Sequence, residues 1–260
     1  MNIWLYWDNV ARRSTPGYIQ LCFKSVMAHC GERHAVHVLN KDNLGYYLKE
    51  IPEDLYRVER DVYRPSAGGL VRRLNRRKRA ASRIAIRLAY VRLRLLYEYG
   101  GLWLDSDCIT MSDYAPVEEA LQEHEIVGVS KRSHGENHIT NNFIAASPKS
   151  PKLKRIIEEQ NDLIGKRYLK WGEIGGTLLA KRLLGQEDVF LFDEKKVLPL
   201  PWEEANKFFL DEPLDVVERY RPMCCMLYNN IFPEHFKKKA PDEIYGDRTL
   251  VSRLFQKHAA

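Results

Sequence analysis

The chain reads as an α/β protein that opens with a strand, a helix and a strand, and three observations predict this. Residues 2–7, NIWLYW, form a compact apolar run ending at Asp8 and Asn9, as a strand buried on both faces does. The segment STPGYIQLCFKSVMAHC, 14–30, carries a Thr15–Pro16 start signal and places Ile19, Cys22, Phe23 and Val26 at helical spacing. HAVHVLN, 34–40, then alternates as a strand should. A βαβ opening argues for a sheet in which neighbouring strands are parallel.

The later elements follow from the same periodicities. A polar connection leads to a long helix over about 70–99, stopped by Gly100 and Gly101. Strands are predicted at EIVGVS (125–130), TNNFIAAS (140–147) and DVFLF (188–192), and helices over about 149–164 and 174–184. Neither a repeat nor a low-complexity linker interrupts the chain, so residues 1–260 are expected to form one domain.

Composition narrows the partners. At 260 residues with 45% hydrophobic and 29% charged residues, the chain can bury a full core. The 41 basic against 35 acidic residues give a net charge of +6, which favours an anionic ligand or surface. The cysteines Cys22, Cys30, Cys108, Cys224 and Cys225 are odd in number and lack CxxC spacing, so neither a zinc site nor a disulfide framework is expected, and a reducing, cytoplasmic setting follows. No basic lead precedes the first apolar residues and no run approaches 18 apolar residues. Neither a signal peptide nor a membrane span is expected.

Two kinds of arginine lie on the long helix. At about 100° per residue, Arg72, Arg76, Arg79, Arg83, Arg87 and Arg94 share one stripe. The stripe is either a solvated face or a surface for an anionic membrane or acceptor phosphates. With no helix-turn-helix, zinc finger or aromatic RNA-binding signature beside it, nucleic acid is not an expected partner. Arg92 falls opposite, among Ala81, Ile84, Leu88, Val91, Leu95 and Tyr99. A cation on an apolar face must be paired, here with an internal carboxylate or with an anion in a cleft.

The stretch YEYGGLWLDSD, 97–107, runs a helix end into two glycines, a short apolar strand and two aspartates. Side chains two apart on a strand share a face, so Asp105 and Asp107 are expected side by side, and their charges repel unless a cation or a shared proton compensates them. Strand ends at the carboxyl edge of α/β sheets are where such folds hold ligands. The plainer alternative is a strand-end turn with exposed aspartates.

LAYVRLRLLYEYGGLWLDSD resembles the signature of the glycosyltransferases with a sugar-binding DXD region, the group that contains capsular polysaccharide synthesis transferases, yeast-type initiating mannosyltransferases and, more distantly, the clostridial glucosylating toxins. NIWLYWDN, TNNFIAASPKSP, WGEIGGTLLAKRL and VLPLPWEE fall in the family's order and rough spacing. The resemblance implies a GT-A fold with a Rossmann-like βαβ start, in which about 1–110 bind the nucleotide sugar and end in the DXD motif, and about 111–260 complete the donor-sugar and acceptor part. It implies Mn²⁺ or Mg²⁺ on the diphosphate, with Asp107 as the firmer ligand and Asp105 shared with ribose or sugar hydroxyls.

Other roles carry over position by position. Trp7 matches an aromatic placed against the nucleotide base, or is a core tryptophan. Arg92 matches an arginine near the diphosphate. Asn142 and Gly175, the latter in the GEIGG loop, match segments near donor sugar and acceptor, or are ordinary turns. Glu173 is a catalytic candidate by its loop position. The family's aspartate three residues before the arginine is here Ala89, its Gly-Pro is Gly175-Gly176, and its late histidine is replaced within CCMLYNN, leaving Asn229 as a substitute metal ligand. The implied activity is retaining transfer of a hexose from a UDP-sugar, ahead of a GDP-sugar, to a glycan or lipid-linked glycan in bacterial capsule or lipopolysaccharide synthesis, at the inner face of the cytoplasmic membrane. The competing expectation is a basic polyanion-binding protein on a degenerate transferase fold, motivated by Ala89 and Met226.

Overall fold

The computed structural model describes residues 1–9, 14–52, 55, 59–60, 85–133, 136–164, 168–169 and 173–260. Strand β1 (Asn2–Tyr6), helix α1 (Gly17–Cys30) and strand β2 (Ala35–Leu39) open the chain, and β1 pairs with β2 in parallel along its whole length. Helix α2 at 85–99 leads into β3 (Gly101–Leu104), which pairs in parallel on the other side of β1. Strand β1 is thereby central and covered on both faces. Ile3 and Leu5 pack with Val26 and Cys30 on one side, while Trp4 and Tyr6 pack with α2 on the other, which is why its sequence is continuously apolar.

Later elements, interspersed with short helical turns, include β4 (Cys108–Thr110), α3 (Ala115–Glu123), β5 (Ile126–Ser133), β6 (Glu136–Ile139), β7 (Phe143–Ala146), α4 (Pro151–Ile164), α5 (Gly176–Leu183), β8 (Val189–Phe192), β9 (Cys224–Met226) and α6 (Leu250–His258). The main sheet runs β8-β5-β7-β3-β1-β2, with β6 paired to β5. The expectation of parallel neighbours fails at β7, which is antiparallel to both β3 and β5. Strand β6 folds straight back on β5 as an antiparallel hairpin, and β7 continues in the same direction as β6 after residues 140–142, so no crossover intervenes between β5 and β7.

The described part of the long helix is more enclosed than a two-faced projection implies, because residues 89–93 are all buried. Its glycine stop is obligatory. Gly100 and Gly101 take φ +64° and +97°, and a Cβ on Gly101 would lie 2.3 Å from the Asn2 carbonyl oxygen. The Gly100 N–H closes onto the Leu96 carbonyl at 2.8 Å, and the Gly100 carbonyl accepts from the Trp4 indole at 2.9 Å.

The periodicities do not anticipate β4, α3, β6, β9 or α6. Strand β9 pairs antiparallel with β4, and α6 packs its apolar residues with α1 and β4 in a separate core that includes Tyr18, Ile109, Cys225, Leu254 and Phe255. All five cysteines are buried and free. Among the described residues no helix is long and apolar enough to cross a membrane. Arg72, Arg76, Arg79 and Arg83 lie outside the described residues. Arg87 is half-buried near the start of α2, and Arg94 pairs with Glu98 at 3.6 Å.

Candidate functional site

The two aspartates do not lie on a strand. Strand β3 stops at Leu104 and β4 starts at Cys108, so Asp105, Ser106 and Asp107 form the bend between them. The expected strand register is therefore corrected, because the bend is fixed by the chain around it. The Asp105 N–H donates to the Asn142 carbonyl at 2.9 Å, and the Leu227 N–H donates to the Asp107 carbonyl at 2.8 Å. Between them the Ser106 hydroxyl, buried, donates to the Tyr6 carbonyl at 2.8 Å. Each residue of the bend is tied to a different segment, at the end of β1, before β7 and after β9.

Asp105 is the counter-charge of Arg92. One carboxylate oxygen accepts from the Arg92 guanidinium at 2.8 Å and from the Trp103 indole at 2.8 Å. Arg92 is 4% exposed, with its guanidinium carbon 4.9 Å from the centre of the Trp103 ring, an arrangement that supplies cation–π attraction. Burial lowers the Arg92 pKa, and the Asp105 charge opposes that shift. Of the two expectations for Arg92 the structure shows the internal carboxylate, and that partner belongs to the acidic bend. Its Nε is buried without a hydrogen-bond partner.

Asp107 is less well compensated. It accepts the Asn229 backbone N–H at 2.7 Å, yet burial, and then the neighbouring Asp105 charge, raise its carboxyl from 3.8 to about 6. The Asn229 side-chain oxygen accepts from the Tyr18 hydroxyl, and Tyr228 just before it holds a left-handed backbone with φ 55°. Among the described residues no three His, Cys, Asp or Glu side chains gather as a metal-binding group. The available donors are two carboxylates and the Asn229 amide oxygen. Such hard oxygens suit Mg²⁺ or Mn²⁺, and a carboxyl raised by an acidic neighbour is one a bound cation would return to its ionised form. The residues fit the ion.

Trp7 is half-buried, and its indole donates to the Asn9 side chain at 3.1 Å. It packs against the core that holds Tyr18 and Ile109 and also walls a cleft of about 260 Å³ with Asp8, Asn9, Val38, Asn40 and Lys41. Asp8 accepts from the Tyr6 hydroxyl at 2.6 Å and from the Lys41 N–H at 2.9 Å. The sequence reading left Asp8, Lys41 and Ser106 without a role. Position at the carboxyl ends of β1 and β2 was the available signal for the first two, and the small residue between two aspartates for the third.

Of the remaining candidates Asn142 borders this bend, while Glu173 and Gly175 lie on a turn tied to the helix that carries Arg92. The Asn142 side-chain oxygen is buried without a partner, while its carbonyl holds Asp105. Glu173 is half-buried at the turn 173–175, and Gly175 caps α5. Gln160, fully buried on α4, holds that turn in place: its amide donates to the Ile174 carbonyl at 2.6 Å and to the Ala89 carbonyl at 3.1 Å. The loop and the helix carrying Arg92 are joined through one side chain.

No protein-family model matches the chain, and no curated protein matches it. Solved structures do. The galactosyltransferase LgtC, in complex with donor and acceptor sugar analogues, matches with a TM-score of 0.53 at 13% identity, covering 100% of this chain and 97% of that one. The glycosyltransferase GlyE of Streptococcus pneumoniae TIGR4 gives a TM-score of 0.49 at 14% identity, covering 99% of this chain and 64% of that one. The PaToxG glycosyltransferase gives 0.45 at 14% identity, covering 70% and 68%. The mixed sheet flanked by helices is the GT-A-like glycosyltransferase fold of LgtC.

Proposed function

We propose that this chain is a metal-dependent glycosyltransferase that moves a hexose from a nucleotide sugar, a UDP-sugar ahead of a GDP-sugar, to a glycan or lipid-linked glycan hydroxyl. One observation carries the reading: the acidic bend places an under-compensated Asp107 next to the Asp105–Arg92 pair, and Ser106 ties the bend to the strand end bearing Trp7. Nucleotide-sugar chemistry requires the departing diphosphate to be stabilised. Asp105, Asp107 and the Asn229 amide would hold Mn²⁺ or Mg²⁺, which when bound supplies positive charge for that diphosphate. Arg92 orients Asp105 and adds a second positive charge at the same edge. Trp7 offers its ring to the base, and Asn142 and Gly175 border the donor sugar. Glu173 is the candidate for a direct part in the transfer, which we take to retain anomeric configuration. The biological setting we infer is capsule or lipopolysaccharide synthesis at the inner membrane face, with Arg72, Arg76, Arg79, Arg83 and Arg87 toward anionic lipid.

Calorimetry with UDP and GDP, with and without Mn²⁺, together with hydrolysis of a nucleotide-sugar panel, tests the proposal. Nucleotide binding that requires the metal, with release of free hexose, supports it. Binding of heparin or polyphosphate without any metal-dependent nucleotide binding returns the competing reading of a polyanion-binding protein on a degenerate fold.

A further inference from the structure

Trp202 is 45% exposed, whereas Trp4 and Trp103 are 1% exposed. A single exposed aromatic needs no explanation by itself, but this one is held in a defined place. Its ring meets Tyr228 edge-on, with centroids 5.3 Å apart at 79°. The Tyr228 hydroxyl donates to the Leu200 carbonyl at 2.9 Å, and the tyrosine's left-handed backbone delivers the Asn229 N–H to Asp107. Trp202 is therefore linked to the acidic bend through two consecutive residues.

The charge around it selects the kind of ligand. Glu203 follows it directly on the 3-10 helix Trp202–Phe209 and is itself exposed. Glu204 is paired with Lys207 at 2.5 Å. Carboxylates beside an exposed aromatic disfavour a phosphate, and they accept hydrogen bonds from hydroxyls. An aromatic face with hydroxyl-accepting groups at its border is complementary to a neutral pyranose, whose ring has an apolar C–H face and polar edges.

We infer that Trp202 and Glu203 form the acceptor subsite of this centre, Trp202 stacking on the C–H face of a neutral pyranose and Glu203 accepting from its hydroxyls. The assignment as an acceptor subsite rests on the transferase reading above. Saturation-transfer NMR with methyl β-D-galactopyranoside and methyl α-D-glucopyranoside, with glycerol as control, tests it on wild type, Trp202→Ala, Trp202→Phe and Glu203→Gln, alongside UDP–Mn²⁺ calorimetry of the same proteins. Saturable transfer to ring protons of one pyranoside face is expected in wild type and Trp202→Phe. Loss in Trp202→Ala, at least threefold weakening in Glu203→Gln, and UDP affinity within twofold throughout complete the expected result. Absence of saturable transfer, or transfer equal in Trp202→Ala, overturns the subsite. A tenfold loss of UDP affinity in Trp202→Ala also overturns it, by assigning the ring to the donor. Pyranoside binding at Trp202 in a wild-type protein that takes no UDP would uphold the sugar site while removing the transferase reading.

Discussion

Asp107 shows how one carboxyl couples stability to function. Its pKa rises from 3.8 to about 6 on folding, so the ionised form is the disfavoured one in the folded chain. Stability from this group is complete below about pH 4 and is lost as pH rises through about 6, amounting to about 3 kcal/mol at most. Asp107→Asn should therefore raise the melting temperature of the metal-free protein by several degrees at pH 8 and leave it nearly unchanged at pH 4. Mn²⁺ should stabilise the wild type at pH 8 but not the variant. Thermal melts of both proteins at both pH values check this, and equal melting temperatures at pH 8 would show that the carboxyl is not strained. Both aspartates were legible in the sequence, as was the need for Arg92 to have a partner. The pairing of Arg92 with Asp105 across 13 residues was not, because the bend that follows Leu104 sets it, and the end of that strand leaves no mark in periodicity.

At the scale of elements, Gln160 connects α4, the end of the GEIGG turn and α2 through one amide, while its own oxygen is buried without a partner. Two bonds gained stand against one acceptor left desolvated. Gln160→Leu removes both, and the bonds should win, lowering stability by about 1 to 2 kcal/mol. Urea unfolding should show a lower midpoint with an unchanged slope, and hydrogen exchange at 173–176 should quicken. A variant as stable as wild type would mean that the orphaned oxygen cancels the two bonds. The elements with a long period, β1, α1, β2, α4 and α5, were readable because side-chain spacing alone defines them. Strand β9 was not: its three residues earn their conformation by pairing with β4, and a tertiary partner leaves no local signal. The direction of β7 followed from the β5–β6 hairpin, which can be recognised only once β6 is found.

The whole molecule carries an opposing pH dependence. His29, His34, His37 and His258 are all held below the usual histidine pKa, chiefly by burial. A base with a lowered folded pKa gives stability that is present above about pH 6.5 and is lost as pH falls through the folded value. The pair His29–His258, with ring nitrogens 3.2 Å apart, joins α1 to α6. Asp113 faces His29, while Glu218 and Lys257 face His258, and protonating both rings would set two cations against each other. His258→Gln should flatten the loss of stability between pH 7.5 and 5.5. Urea titrations at the two pH values measure it, and parallel slopes in wild type and variant would remove the pair from the acid response.

The hydrogen bond from Asn229 to Asp107 closes a loop of 122 residues, and the Ser106 bond to Tyr6 closes one of 100. Loop closure of that span is slow and is reached only after shorter-range structure has formed. During synthesis the bend can dock on β1 well before β9 emerges, so an early chain holds its first sheet strands and the bend but not the Asn229 contact that completes it. If the oxygens of the bend and Asn229 hold an ion as proposed, ion-binding competence is a late event in the life of the chain, and an unfinished polypeptide would not capture it.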